Sequence, residues 1–254
     1  MEHSISTEAN SAENPVAFPP VDIVVVAHNP DEWFGDVLNS FAIQDYPDFN
    51  VIVLTTGDES QMRHFVHEYL PLAQVHAVES DHGYGRNLNS IFDLGTNSAF
   101  FLFCHHDVAL APDALRLMVE ESLRSNAGIV GPKIVNWDRP DELLDIGYSV
   151  DKLGFLVSRI EPGELDQEQH DSVSDVFMVS STVALVRADL FQALSGFDEE
   201  IGMVGEDLDL CWKAHLAGAR VLIVPLALAR HREEKGKYRT DGEEEKYRER
   251  HRLR

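Results

Sequence analysis

The stretch 100-FFLFCHHDVALAP-112 ends an apolar run at His105, His106 and Asp107. Two imidazoles and a carboxylate directly after a buried run suit several chemistries: a metal site, part of a catalytic triad, a nucleotide-sugar site, or an ordinary polar strand end. Zinc sites of the hydrolase type usually place two His one helical turn apart. Adjacent residues on a strand point to opposite faces, so 105 and 106 do not easily reach one ion, whereas 105 and 107 share a face. That geometry suits a looser site in which one carboxylate binds a divalent metal and the metal mostly holds substrate phosphates. His106 is then expected to pack behind the strand end.

Two further clusters carry chemical side chains. In 82-HGYGRNLNS-90, Gly83 and Gly85 precede Arg86, Asn87 and Asn89 at a loop-to-helix junction. Such a junction presents backbone N–H groups and a guanidinium to a diphosphate, or else only makes a tight turn. In 205-GEDLDLCWKAHLAGARVLIVP-225, Glu206 and Asp207 stand at a helix start, where the positive end of the dipole favours the ionised form. Two acids there often do no more than cap. Placed opposite a metal–diphosphate site, however, an ionised carboxylate is what a general base needs. Ser180, Ser181 and Thr182, inside 176-VFMVSSTVALV-186, are small enough to let a ligand approach the backbone. Trp137 lies in an otherwise polar loop, where an indole stacks on a sugar or packs beneath the loop. Trp137, Ser181 and Trp212 are the acceptor-side candidates.

The elements that must position these groups alternate. The run 21-VDIVVVA-27 is apolar and β-branched, the pattern of a strand buried on both faces. Asn29 and Pro30 read as an N-cap and first helical position, with Asp31 and Glu32 in the first turn and Phe34, Val37, Leu38 and Phe41 at helical spacing. A second strand, 51-VIVL-54, precedes a helix whose Met62, Phe65, Val66 and Tyr69 share a face. A short strand 75-VHAV-78 leads to a third helix through Leu88, Ile91 and Phe92, and the 100–104 run is a fourth strand. Next come a helix from Asp113 to Leu123, the run 128-GIVGPKIV-135, a loop-rich region from Asn136 to Asp175, a helix from Glu206 with Leu208, Cys211, Trp212 and His215 on its buried side, and a last strand 220-RVLIVP-225. Strands alternating with helices predict an α/β fold with a mostly parallel central sheet flanked by helices, whose ligand crevice lies beyond the carboxyl ends of the strands. His28-Asn29, Thr55-Thr56-Gly57-Asp58 and His105-His106-Asp107 all fall at that edge.

Composition narrows the partners. A formal net charge of −23 argues against nucleic acid, which needs clustered Lys and Arg. The two cysteines, Cys104 and Cys211, sit inside apolar patterns and read as reduced core thiols of a cytoplasmic protein rather than a disulfide framework. No stretch is long and apolar enough to span a bilayer. Residues 1–18 read as a disordered lead-in without the features of a secretory signal. Residues 19–231 read as one domain of two halves, 19–110 and 111–231, and 232–254 as a charged tail.

Taken together, these residues resemble the nucleotide-sugar-dependent glycosyltransferases of family 2, which have the GT-A fold. The likeness runs from Val21 to His231. The strand end Ala27-His28-Asn29 is similar to the family's first nucleotide contact, and 83-GYGRNLN-89 to its glycine- and asparagine-rich segment. His105-His106-Asp107 occupies the place of the Asp-x-Asp motif, whose last carboxylate binds Mg²⁺ or Mn²⁺. The order 196-GFDEE-200 then 206-EDLDLCWKAHLAGARVLIVP-225 is similar to the acceptor-side signature, in which the Asp matching Asp207 is the base. His231 matches the His that completes the metal site in rhamnosyl- and galactofuranosyl-transferase-like members. Two positions depart from the pattern: Thr55 stands where relatives carry a base-reading Asp, and His105 replaces the first acid of Asp-x-Asp.

The resemblance implies inverting transfer of a sugar from a UDP-, dTDP- or GDP-linked donor to a glycan or lipid-linked glycan acceptor. Asp207 would be the base with Glu206 in support, and Asp107 and His231 the Mn²⁺ or Mg²⁺ ligands. The donor would lie along Ala27, His28, Asn29, Thr55, Gly83, Gly85, Arg86, Asn87, Asn89, His105 and His106. A fainter likeness of 165-LDQEQHDSVSDV-176 to the transferase domains of large actinobacterial membrane proteins implies a place near the inner face of a membrane. The competing readings are a non-catalytic domain that keeps the fold, a sugar nucleotidyltransferase and a hydrolytic zinc enzyme. A nucleotidyltransferase would want a glycine-rich basic loop after the first strand, and His28-Asn29-Pro30-Asp31 is not that loop.

Overall fold

A computed structural model describes residues 18–29, 33–79, 83–201 and 205–233. The expected lead-in at 1–17, the Pro30–Glu32 part of the first helix start, His82 and most of the charged tail lie outside them. The strands are β1 (Val21–Ala27), β2 (Phe49–Thr55), β3 (Gln74–Ala77), β4 (Phe100–His105), β5 (Val108–Leu110), β6 (Ala127–Asn136), β7 (Leu143–Asp145), β8 (Tyr148–Val150), β9 (Leu156–Ser158), β10 (Ser174–Asp175), β11 (Val183–Arg187) and β12 (Arg220–His231). The helices are α1 (Phe34–Ala42), α2 (Glu59–Tyr69), α3 (Tyr84–Asn89), α4 (Ala114–Ser125), α5 (Ala188–Ala193) and α6 (Glu206–Leu216).

One curled sheet runs in the order β10-β12-β6-β11-β4-β1-β2-β3. The β4-β1-β2-β3 part is parallel throughout, because each strand returns through a helix. On its other side β11 runs antiparallel to both β4 and β6, and β6 is again parallel to β12. Apolar side chains cover both faces. One layer joins Ile23, Val25, Phe34, Leu38 and Met118; the other joins Val24, Ile52, Phe103, Phe191 and Cys211. Cys104 and Cys211 are both free and buried, as their apolar settings predict. Among the described residues no helix is long and apolar enough to cross a membrane.

Several local expectations change. Helix α1 is capped by Trp33 rather than Asn29, so four residues separate the first strand corner from the helix. Phe92 falls in a 3₁₀ turn after α3 and is exposed, lying against Phe191 at a centroid distance of 5.2 Å. In α6 the buried stripe is Leu210, Cys211 and Ala214, and Trp212, one position round the helix, is 51% exposed. The final strand does not stop at Pro225. A register shift between Val224 and Leu228 bends it, and pairing resumes to His231. That extension carries His231 to the site.

Candidate active site

The metal end is built by the turn between β4 and β5 and by the tip of β12. His231 pairs with Val108 of β5 on one side and Asn136 of β6 on the other. The Trp137 N–H donates to the His231 carbonyl at 3.0 Å, and the Arg232 N–H to the Asp107 carbonyl at 3.1 Å. His231 Nε2 then lies 3.3 Å from Asp107 Oδ2. The His105 ring meets that of His231 edge-on, with centroids 6.0 Å apart. One donor atom from each of His105, Asp107 and His231 lies within 4.8 Å of the other two, the sole such His/Cys/Asp/Glu group among the described residues. Burial works to raise the Asp107 carboxyl. The hydrogen bond and charge of His231, with the charges of His105 and His106, outweigh it and hold Asp107 well below the usual carboxylate range. Two imidazoles and an ionised carboxylate that converge this way fit a divalent first-row cation. His105, expected beside the donor, belongs to this cluster. His106 sits half-buried in the turn.

The base end is the start of α6. The Ser181 N–H donates to Asp207 Oδ2 at 3.3 Å and the Leu208 N–H to Oδ1 at 2.8 Å. The Ser181 hydroxyl donates to Glu206 Oε1 at 2.9 Å, and the Tyr84 hydroxyl to the Ser181 carbonyl at 3.4 Å. Ser181 therefore sets both acids rather than only leaving room for an acceptor. Glu206 is buried, and its Oε2 has no hydrogen-bond partner in the described residues. Burial, and then the charge of Glu206, push the Asp207 carboxyl up to about 7 against the pull of its N–H bonds. Gly85 is what lets α6 come this close. A Cβ there would stand 3.2 Å from Glu206 Cβ and 3.0 Å from Phe197 Cβ.

The residues expected to meet the donor begin at the corner after β1. His28 Nδ1 and Thr56 Oγ1 are 2.9 Å apart, and the Thr56 N–H donates to the Ala27 carbonyl. Gly57 admits this contact, since a Cβ there would come within 2.0 Å of the His28 carbonyl oxygen. Asn29 is exposed beside it. Thr55 is buried and accepts from the Gly57 N–H at 3.1 Å, and Asp58 caps α2 by accepting from the Gln61 N–H at 2.7 Å. Asp58 is thus engaged as a cap. In the glycine-rich segment, Tyr84 lays its ring against the edge of His105 at 4.7 Å, joining this segment to the metal end. The Arg86 guanidinium lies 3.5 Å from the Glu199 carboxylate. Asn87 and Asn89 are buried, and both ends of the Asn89 amide bond the Phe197 backbone at 2.9 Å. Asn89 therefore braces the Gly196-Phe197 turn behind α6, because its amide is wholly engaged there.

Trp137 packs against the main apolar layer while its backbone holds His231, the second of its two anticipated fates. Trp212 meets Phe177 edge-on at 5.6 Å, away from the acids. Two residues escaped the sequence reading. Tyr84 joins the glycine-rich segment to both ends. Asp145, at the corner after β7, accepts from the Gly147 N–H at 2.6 Å and from the Tyr148 side chain. Burial pushes Asp145 up to about 6, the charge of Asp207 adds to this, and that of His231 opposes it. One acid among 44 in an irregular segment carries no spacing signal beyond the Asp-x-Gly turn that follows it.

A family model described as "Glycosyltransferase like family 2" matches residues 19–252. The rhamnosyltransferase WbbL of Escherichia coli (strain K12) is 25% identical over 222 residues, which is 83% of this chain and 83% of that enzyme. Among solved structures, GalNAc-T7 with UDP, GalNAc and Mn²⁺ superposes with a TM-score of 0.70 at 12% identity, over 87% of this chain and 45% of that one. The Pyrobaculum calidifontis mannosyltransferase PcManGT with GDP-Man and Mn²⁺ gives 0.61 at 18% identity, over 89% of this chain and 61% of that one. The described fold is the GT-A fold of these structures.

Proposed function

Because the chain belongs to glycosyltransferase-like family 2 and is a glycosyltransferase, we propose that it moves a sugar from a nucleoside-diphosphate donor to an acceptor hydroxyl with inversion, in cell-envelope glycan synthesis. The observation that carries this reading is the convergence of His105, Asp107 and His231 within 4.8 Å of one another in the same chain that fixes the Glu206–Asp207 pair on Ser181. The rhamnosyltransferase name of the Escherichia coli relative and the UDP and GDP-Man of the two structural neighbours support a nucleotide-linked donor.

Asp107, His231 and His105 would hold a divalent cation, and the two imidazoles match Mn²⁺ better than Mg²⁺. When bound, such an ion neutralises charge on the leaving diphosphate. The rest falls to the chain itself. His28 and Asn29 border the nucleoside, and Arg86 faces the diphosphate. Asp207 accepts the proton of the acceptor hydroxyl as its oxygen bonds the anomeric carbon and the bond to the diphosphate breaks. Ser181 fixes the carboxyl by its N–H, and burial, joined by the charge of Glu206, keeps the proton affinity of Asp207 high enough to do this near neutral pH. A single displacement needs one base and no covalent nucleophile.

A thermal-shift screen of UDP-, dTDP- and GDP-sugars with and without Mn²⁺, followed by transfer assays with Asp207→Asn, tests the proposal. One donor class should stabilise the protein in a metal-dependent way. Stabilisation by none, or transfer unreduced in Asp207→Asn, overturns it.

A further inference from the structure

His231 is the last residue of its strand. Its pairs with Val108 and Asn136 are the final pairs of both ladders, so among the described residues no further sheet pair secures it. Strand ends fray, and a metal ligand on a terminal residue loses geometry unless something beyond it is anchored. The next residue supplies that anchor twice. The Arg232 N–H bonds the Asp107 carbonyl at 3.1 Å, and its guanidinium lies over the Trp33 ring, 5.1 Å from the centroid. Trp33 is itself fixed, since its carbonyl accepts from the Val37 N–H at the start of α1 and its indole is half-buried.

We propose that Arg232 and Trp33 form a latch that positions His231 for the metal, tying the β12 tip to the start of α1 by a cation–π contact. The latch rests on the metal site proposed above. Neither residue is a metal ligand; both act through the placement of the His231 ring. Trp33 also follows the β1 corner that carries His28 and Asn29, so the same contact joins the donor side of the site to its metal side. A guanidinium over an indole face at a partly exposed site corresponds to about two- to five-fold in affinity.

The test is Mn²⁺ binding to the full chain without donor, read by electron paramagnetic resonance. Arg232→Met and Trp33→Leu should each weaken Mn²⁺ binding by about two- to five-fold, with the double variant no weaker than the worse single. Arg232→Lys, which keeps a cation on a long stem, should retain most of the affinity. Arg232 is exposed, so Arg232→Met should leave the melting temperature unchanged and carries the test alone if Trp33→Leu fails to fold. Unchanged Mn²⁺ affinity in Arg232→Met, or losses that add in the double variant, overturn the latch. His231→Ala separates the two ideas. If it weakens binding while Arg232→Met does not, the latch falls and the metal site stands; if it binds as wild type, both fall.

Discussion

At one end of the site an aspartate is ringed by imidazoles, and at the other an aspartate adjoins a glutamate. Asp107 and Asp207 are both enclosed by protein, so both pay for losing water. The neighbours decide the sign. His231, His105 and His106 hold Asp107 ionised, whereas Glu206 adds its charge to burial and holds the proton on Asp207 up to about 7. The same side chain is held as an anion in one place and keeps its proton up to about 7 in the other; distant His231 supplies most of the lowering at Asp107, whereas burial and the adjacent Glu206 raise Asp207.

The largest expected effect comes from removing the acceptor. Asp207→Asn should lower turnover by about 10²- to 10⁴-fold, with donor binding measured by calorimetry nearly unchanged. Asp107→Asn should break the other end, weakening Mn²⁺ binding about 10-fold or more by removing the negative charge that faces His231. The wild-type pH profile should rise through about 7 as Asp207 loses its proton, and a midpoint near 4 would remove the contrast. Stability should run the other way. Asp207 binds a proton more tightly folded than unfolded, so its contribution is present below the ordinary value of 3.8 and is lost as pH rises to about 7. Asp207→Asn should therefore melt higher than wild type at pH 8 and alike at pH 4. The smallest effect should be Asp145→Asn. Removing a nearby negative charge should shift the midpoint of the rate profile slightly downward, and an unmoved midpoint would separate Asp145 from the pair.

Much of the first half of the chain was legible because its strands are buried on both faces and its helices are amphipathic. Val21–Ala27, Phe49–Thr55 and Phe100–His105 appear where β-branched and aromatic runs stand. The second half was harder to read. Asp145 ends a three-residue strand and Ser181 lies in a loop, and their surroundings depend on which distant carboxyl they meet. Trp212 looked core-facing by type, but the buried stripe of α6 falls one residue away. Asn89 looked like a donor ligand, yet its amide had Phe197, 108 positions on, for a partner.

The sequence alone determined the alternation of strands and helices, the strand-end placement of His28 and His105, and the helix-start placement of Glu206 and Asp207, because these follow from local periodicity and capping. Only the tertiary structure decided that His105 joins Asp107 and His231, that β12 bends past Pro225 to deliver His231, and that Asp107 and Asp207 titrate in opposite directions. The first two outcomes bring together residues more than 100 positions apart, which no local pattern specifies, and the third depends on how deeply the fold buries each carboxyl and on whether His231 reaches it.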